Sequence, residues 1–385
     1  MGRFREALAG PGLAGIAEIK RRSPSAGELR PDADPARLAR AFERAGAAAV
    51  SVLVDERFGG SVGDLAAARA ATSLPLLAKG FFSGEEELAD LRKAGADAVL
   101  LLLRDVDDDT AVRLLGRAGE AGFDTLVEVH DESELERAVG LGADPIGVNA
   151  RDLATFEIDR QGQLDLVARA PRDRLVVAES GLHSRAQGAA AELAGADAIL
   201  VGTELMRARD PAERLRELLS RPLVKVCGLT RQEDVDVAVD AGADLCGFIL
   251  VDESPRAALE PLPVPETVLS VAVFVGQAGA GGTDLVQLYD AEEGRVRGRD
   301  AVLLRAGEQV ATVVDRPWQE EDPKHLDRAR AVAGRLVLAG GLDPENVSLM
   351  VAAVQPWAVD ASSSLERSPG IKDHDRVRAF VAAVR

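Results

Sequence analysis

Short runs of Val, Ile, Leu and Ala recur along the whole chain, separated by stretches whose apolar positions follow helical spacing. A strand buried on both faces reads as a continuous apolar run, and such runs alternating with helices signal βα units and a parallel sheet. In the first half the runs predict eight strands, at 16–20, 48–54, 75–80, 98–103, 124–129, 145–150, 175–180 and 198–202. Helix starts between them are marked. Asp34-Pro35 reads as an N-cap followed by proline at the first helical position, and Ser83 with Glu86 as a capping box. Eight βα units in about 210 residues is the size of a closed (β/α)8 barrel.

Gly-Ala recurs just before alternate strands, at Gly46, Gly95, Gly142, Gly195 and Gly242. Glycine suits the end of a helix where the chain turns back into a strand. The last copy lies beyond the eighth strand, so the pattern restarts. The restart follows a helix at 211–219 and the link Ser220-Arg221-Pro222, and eight further strands are predicted at 224–228, 244–250, 268–275, 284–289, 301–306, 310–315, 335–339 and 358–361. Strands three to six of this half are crowded. The link 277–282 (QAGAGG) has no helical pattern, and GEQ (307–309) alone separates strands five and six. The predicted fold class is α/β, with two tandem (β/α)8 TIM barrels, the second with trimmed outer helices. The expected domains are 1–219 and 223–385.

Charge narrows the function. The net charge is −18 and no basic stretch could track a phosphodiester backbone, which argues against nucleic acid as a partner. No run is long and apolar enough to span a membrane, and MGRFREALAG is no signal peptide, so a cytoplasmic protein without membrane contact is expected. Two cysteines and four histidines give neither a disulfide framework nor a metal-ligand spacing, and no metal or cofactor is expected.

Candidate chemistry gathers at strand ends, which form the active-site face of such a barrel. The chain has 6 Lys against 40 Arg, and Lys20, Lys79 and Lys225 each lie at or beside the end of an apolar run. In the first half Glu18, Lys20, Lys79, Glu128, Asn149 and Glu179 would share one pocket, where opposed Lys and Glu suit acid–base work. Surface lysines or a structural ion-pair network are the plainer readings. Glycines in Glu179-Ser180-Gly181 and Gly202-Thr203 would let backbone N–H groups approach a phosphate. In the second half Cys227 ends the first strand, before a helix with Thr230 and Glu233 as a capping box. A helix N-terminus could stabilise its thiolate. Cys246, inside strand two, reads as an inert buried cysteine. Asp315 ends strand six, and Gly340-Gly341 and Ser362-Ser363-Ser364 are phosphate-loop candidates.

The stretches IAEIKRRSPSAGEL, VSVLVDERFGGS, LVEVHDESELERA, GVNARDL, VAESGL and ILVGTELM resemble, in order, indole-3-glycerol-phosphate synthase. That resemblance implies ring closure of carboxyphenylamino-deoxyribulose phosphate with loss of CO2 and water. It makes Lys79 the general acid, Glu128 its acid–base partner, and Glu18 and Asn149 the orienting groups, with Lys20 touching the reacting region. Ser23, Gly181, Gly202 and Thr203 match phosphate-side positions, and Arg151, Glu179 and Ser180 substrate-pocket positions. Two departures stand out: a short segment before strand one, and Ala78-Lys79-Gly80-Phe81 where the family has Arg-Lys-Asp-Phe.

The stretches KVCGLTRQEDV, GFILVDESPRA, VAVFV, LVQLY, LAGGLDPENV and VDASSSLERSPGIKD resemble phosphoribosylanthranilate isomerase. This implies an Amadori rearrangement, with Cys227 as general base on the sugar C2 proton and Asp315 as the general acid that opens the ribose ring. Arg256 would hold the anthranilate carboxylate; Gly340, Gly341, Ser362 and Ser363 would hold phosphate. Here the departures are larger. Tyr289 replaces a histidine, RPWQEEDP replaces a Gly-Gly-Thr-Gly loop after the acid, and Ser364 replaces a glycine. Together the resemblances imply consecutive steps of tryptophan biosynthesis on anthranilate–ribose phosphates, and contact with other enzymes of that pathway. The alternatives are a synthase whose second barrel is a structural or interaction module, a different sugar-phosphate isomerase in the second half, and, last, a non-catalytic metabolite-binding protein, which gives no reason to keep Lys79, Glu128, Cys227 and Asp315 together at strand ends.

Overall fold

The computed structural model describes residues 2–23, 27–80, 85–152, 155–279, 282–292, 297–316 and 321–385. The chain divides into two compact units, Met1–His183 with Gly188–Leu219, and Ser184–Gln187 with Ser220–Arg385.

The first unit closes an eight-stranded barrel from β1 (Ala14–Ile19), β2 (Ala49–Leu53), β3 (Leu76–Lys79), β4 (Ala98–Leu102), β5 (Asp124–Val129), β6 (Ile146–Asn149), β7 (Val176–Glu179) and β8 (Ala198–Val201). Every pairing, including β1 with β8, is parallel. Side chains alternate across a strand, so alternate strands deliver layers of four into the interior. Ile16, Leu77, Leu126 and Val177, from the odd strands, are all fully buried in one cluster. Phe4 and Leu8 of the helix Arg3–Leu8 join that cluster and are fully buried. Each contributes about 1.5–3 kcal/mol by leaving water. Two residues further along the same four strands stand Glu18, Lys79, Glu128 and Glu179. The layer above the apolar one is therefore ionic.

Two kinds of local signal behave as the sequence implies. The Asp34 carboxylate accepts from the Ala36 and Arg37 N–H groups at 3.0 and 3.1 Å, with Pro35 opening the helix Pro35–Arg44. The five Gly-Ala glycines have φ of +88°, +95°, +75°, +118° and +98°, the left-handed region that lets a helix stop without strain. Ser83 of the expected first-half capping box lies outside the described residues.

The second unit also closes eight strands: β9 (Leu223–Cys227), β10 (Leu245–Ile249), β11 (Leu269–Val275), β12 (Leu285–Tyr289), β13 (Asp300–Arg305), β14 (Glu308–Val314), β15 (Leu336–Leu338) and β16 (Ala358–Ala361). The expectation of an all-parallel sheet fails at one strand. β13 runs antiparallel to both β12 and β14. The reason is local: Arg305 pairs with Glu308 across a two-residue turn, Ala306-Gly307, whose φ values are +49° and +84°. A two-residue link joins only antiparallel neighbours, since a parallel crossover has to carry the chain back along the whole strand. The reversal puts the start of β13, not its end, on the rim where its neighbours finish.

Among the described residues from Leu223 onward there are four α-helices, Gln232–Ala241, His325–Arg330, Val347–Val354 and His374–Val384, so the outer layer is trimmed. The expected Thr230–Glu233 capping box does not form: Arg231 is the N-cap residue without a side-chain cap, and the Thr230 hydroxyl donates to Gly370 O at 2.5 Å. No helix among the described residues is long and apolar enough to cross a membrane.

Candidate active sites

In the first barrel the ionic layer converges on Lys79. Its Nζ lies 2.6 Å from Glu179, 3.5 Å from Glu18 and 3.7 Å from Glu128, and Lys20 Nζ lies 2.6 Å from Glu18. The Asn149 amide donates to Glu128 at 2.8 Å and accepts from the Arg151 N–H at 3.0 Å. Room for these carboxylates comes from glycines on the even strands and their loops. A Cβ on Gly147 would fall 2.3 Å from a Glu179 oxygen, and one on Gly202 2.3 Å from a Glu18 oxygen.

The layer splits the ordinary ionisations apart. Lys79 is desolvated, but three carboxylates outweigh that and hold it protonated. Burial acts against the charge of Glu18, yet Lys20 and Lys79 draw its pKa down. Glu128 is buried as well, and Lys79, His130 and Asn149 pull it down to about 2. Burial drives Glu179 the other way, and with Glu128 and Glu18 nearby it rises to about 7 despite Lys79. A locked carboxylate, a titrating carboxylate and a permanent ammonium in one dry layer are equipment for proton transfer. Glu128 Oε2 and Glu179 Oε1 are buried with no hydrogen-bond partner among the described residues.

His130 was not among the expected site residues. It follows β5, its Nε2 lies 3.4 Å from Glu128 and its Nδ1 3.1 Å from Glu134. Burial disfavours its charge, but the two glutamates raise it to about 9. The signal was the spacing in VEVHDESE, which puts a histidine two residues past the site carboxylate and four before another. The phosphate-side candidates are less unified. A Cβ on Gly202 would lie 2.9 Å from Lys20 Nζ, and Thr203 follows at the start of Thr203–Arg207. Ser180 and Gly181 are consecutive left-handed residues, and Gly181 packs against Ile158 and Arg160 instead of the charged layer. Ser23 is buried on a small hairpin, Arg22–Ser23 with Gly27–Glu28.

In the second barrel a cavity of about 810 Å³ brings together Cys227, Arg256, Asp315, Gly340, Gly341, Ser362 and Ser363. Cys227 Sγ lies 3.4 Å from Lys225 Nζ, which also donates to Gln287 at 2.7 Å and Asp360 at 2.8 Å. The cation nearest the sulfur is thus a lysine on the same strand. Burial pushes the Cys227 thiol up, with Lys225 and Lys372 pulling against it. Cys246 is fully buried and pushed up to about 12, as an inert cysteine should be.

Asp315 has company that the sequence did not reveal. The Tyr289 hydroxyl donates to it at 2.7 Å, and Arg297 Nη2 lies 2.7 Å from the same oxygen, its guanidinium 4.2 Å from the centre of the Tyr289 ring. Burial still raises the Asp315 carboxyl, against the pull of Arg297 and Tyr289. Arg256 lines the cavity with its Nε 2.9 Å from both Glu366 oxygens, so part of its fork is already engaged. Gly340 and Gly341 have φ of +86° and +71°, and the buried Ser362 Oγ has no hydrogen-bond partner among the described residues.

Comparison with known proteins finds two families along the chain. The family model for indole-3-glycerol phosphate synthase matches residues 2–218, and that for N-(5'-phosphoribosyl)anthranilate isomerase matches residues 321–383. The chain is 48% identical over 217 residues to indole-3-glycerol phosphate synthase 2 of Streptomyces coelicolor, covering 56% of this chain and 84% of that one. It is 45% identical over 215 residues to the synthase of Mycobacterium ulcerans, covering 56% and 79%. A solved phosphoribosyl anthranilate isomerase from Thermus thermophilus is 26% identical, covering 42% of this chain and 97% of that one at a TM-score of 0.35. Cys227, Asp315 and the β13–β14 hairpin lie outside both matched segments.

Proposed function

Residues 2–218 make this chain a member of the indole-3-glycerol phosphate synthase family, and from that premise we propose that it performs two successive steps of tryptophan biosynthesis. The first barrel is the synthase, and a phosphoribosylanthranilate isomerase domain forms the C-terminal part. The observation that carries the synthase chemistry is the four-residue ionic layer, with Lys79 placed among three glutamates.

Lys79, held protonated, donates to the ketone oxygen of carboxyphenylamino-deoxyribulose phosphate as the aromatic carbon attacks the carbonyl carbon. Loss of CO2 restores the ring electrons. Departure of the resulting hydroxyl as water then needs a proton donor and a base. Glu128 is the partner assigned to that step, held in place by Asn149 at 2.8 Å. Glu179, raised to about 7, supplies a second group able to exchange a proton near neutral pH. Glu18 and Lys20 orient the substrate, with Arg151 and Ser180 on its pocket walls and Ser23, Gly181, Gly202 and Thr203 on its phosphate side.

In the second barrel Cys227 removes the C2 proton of phosphoribosylanthranilate, its thiolate stabilised by Lys225. Asp315, raised by burial, protonates the ribose ring oxygen as the ring opens. The free N–H groups of Arg256 meet the anthranilate carboxylate, and Gly340, Gly341, Ser362 and Ser363 meet the phosphate. The test is to supply phosphoribosylanthranilate to the purified chain with nothing else added, following anthranilate-type fluorescence and indole-glycerol phosphate. Formation of indole-glycerol phosphate is the expected result. Persistence of phosphoribosylanthranilate, with turnover of carboxyphenylamino-deoxyribulose phosphate intact, would reduce the chain to a synthase.

A further inference from the structure

Three arginines line the cavity of the second barrel: Arg256, Arg297 and Arg316. Two are committed. Arg256 is paired with Glu366 at 2.9 Å, and Arg297 with Asp315 at 2.7 Å. Arg316 is different. Its backbone N–H donates to Asp315 Oδ1 at 2.6 Å, but its guanidinium makes no hydrogen bond or ion pair among the described residues. Glu321 lines the same cavity without reaching it.

The guanidinium has a definite seat. A Cβ on Gly341 would fall 1.9 Å from Arg316 Nη2 and 3.0 Å from its Cζ, so it lies directly over the bare α-carbon of that glycine. Gly340 is equally close, with its absent Cβ 2.3 Å from the Arg316 N and 2.6 Å from its Cβ. Both glycines are left-handed, so a side chain there would be strained as well as in collision. Facing the same cavity is Ser362, whose buried Oγ has no hydrogen-bond partner among the described residues. An uncommitted planar cation, a glycine turn and an orphaned hydroxyl line one cavity. That is a donor set for a compact, doubly charged anion, and a guanidinium fits phosphate oxygens two at a time.

We infer that Arg316 is a phosphate-binding residue of the second barrel, supplying the charge for the sugar-phosphate group at the Gly341–Ser362 end of the cavity. It would take the place of a glycine-rich backbone loop after strand six, using one side-chain cation where a row of N–H groups would otherwise serve. The inference rests on the isomerase reading for the identity of the sugar phosphate, but the anion site itself does not depend on it.

The test uses the full-length chain with Arg316→Ala, Arg316→Gln and Arg316→Lys. For phosphoribosylanthranilate, R316A and R316Q should raise KM by about tenfold to hundredfold with kcat nearly unchanged, as loss of a charge-assisted contact made equally in ground and transition states requires. Competitive inhibition of that step by inorganic phosphate should weaken by the same factor, and R316K should recover part of both. The synthase KM should not move, and the retained isomerase kcat reports that the second barrel is folded. KM and phosphate inhibition within about twofold of the parent would overturn the inference and leave the isomerase reading standing. If the parent chain has no isomerase turnover, that reading fails, and calorimetric titration with inorganic phosphate decides the site alone. Loss of one binding equivalent in R316A upholds it, and identical isotherms overturn it.

Discussion

The two barrels place their chemistry by different means. In the first, all eight strands run the same way, and the four odd strands deliver Glu18, Lys79, Glu128 and Glu179 at one level. Geometry does the placing, and charge is balanced within the layer: Lys20, Lys79 and His130 face the three glutamates. In the second, one strand is reversed, and the site is assembled from different levels and from loops. Lys225 and Cys227 come from one strand, Asp360 from another, and Arg297 enters on the segment leading into the reversed β13. Regular layering gives one buried cation several carboxylate partners. Irregular layering gathers three arginines around one cavity.

The sharpest way to break this comparison is to remove the central proton donor or base of each barrel in turn. Lys79→Ala should lower synthase turnover on the order of 10³-fold, the usual range for a general acid, and leave isomerase turnover unchanged. Cys227→Ser should do the converse. Loss of both activities in either folded variant would refute two independent sites.

Next comes the carboxylate that titrates. The synthase kcat/KM should show an ionisation near pH 7 that Glu179→Gln removes, since burial and the neighbouring glutamates raise this carboxyl to about 7. A profile unchanged in the variant would assign that proton elsewhere.

Arg297 tests the second barrel. Its guanidinium favours the ionised form of Asp315, so Arg297→Gln should move the alkaline limb of the isomerase profile to higher pH. A limb that stays or falls would mean Asp315 is not the acid.

The smallest effect belongs to His130. Its folded pKa, about 9, lies above the ordinary 6.5, so the stability it contributes is complete below pH 6.5 and is lost as pH rises through about 9. Denaturant midpoints of the parent should fall over that window by more than those of His130→Asn. Parallel curves would assign the histidine no net role.

Much of this was legible in the chain, for physical reasons that differ by region. Strands buried on both faces announce themselves as apolar runs, and a charged residue ending such a run has nowhere to point but the barrel mouth. Glu18, Lys79, Glu128 and Glu179 were therefore readable from their position alone. His130 was not, because its role depends on a side chain two residues back and another a turn ahead. The reversed strand had a signal, the GEQ link, but its meaning lay in the length of the connection instead of in any pattern of apolar residues. Arg297 was hidden by that reversal: without knowing which end of β13 meets the rim, nothing marks the residues leading into it. Arg316 follows Asp315, and no pattern of apolar residues marks its guanidinium out from the chain's other arginines. The Thr230–Glu233 motif misled because Gly370 O competes for the threonine hydroxyl.

The turn at Ala306-Gly307 also bears on the order in which the second unit is built. Its strands β13 and β14 meet through contacts only a few residues apart in sequence, whereas the parallel pairings around it bring together segments separated by longer connections. Short loops close early and cheaply in entropy, so this hairpin can zip in microseconds, ahead of the parallel pairings around it. Pulse-labelled hydrogen exchange should find amides of 300–314 protected before those of β9 and β16; protection arriving together would show that the barrel forms in one step. The irregular strand that looks like a defect in the finished sheet would then be the seed from which that sheet grows.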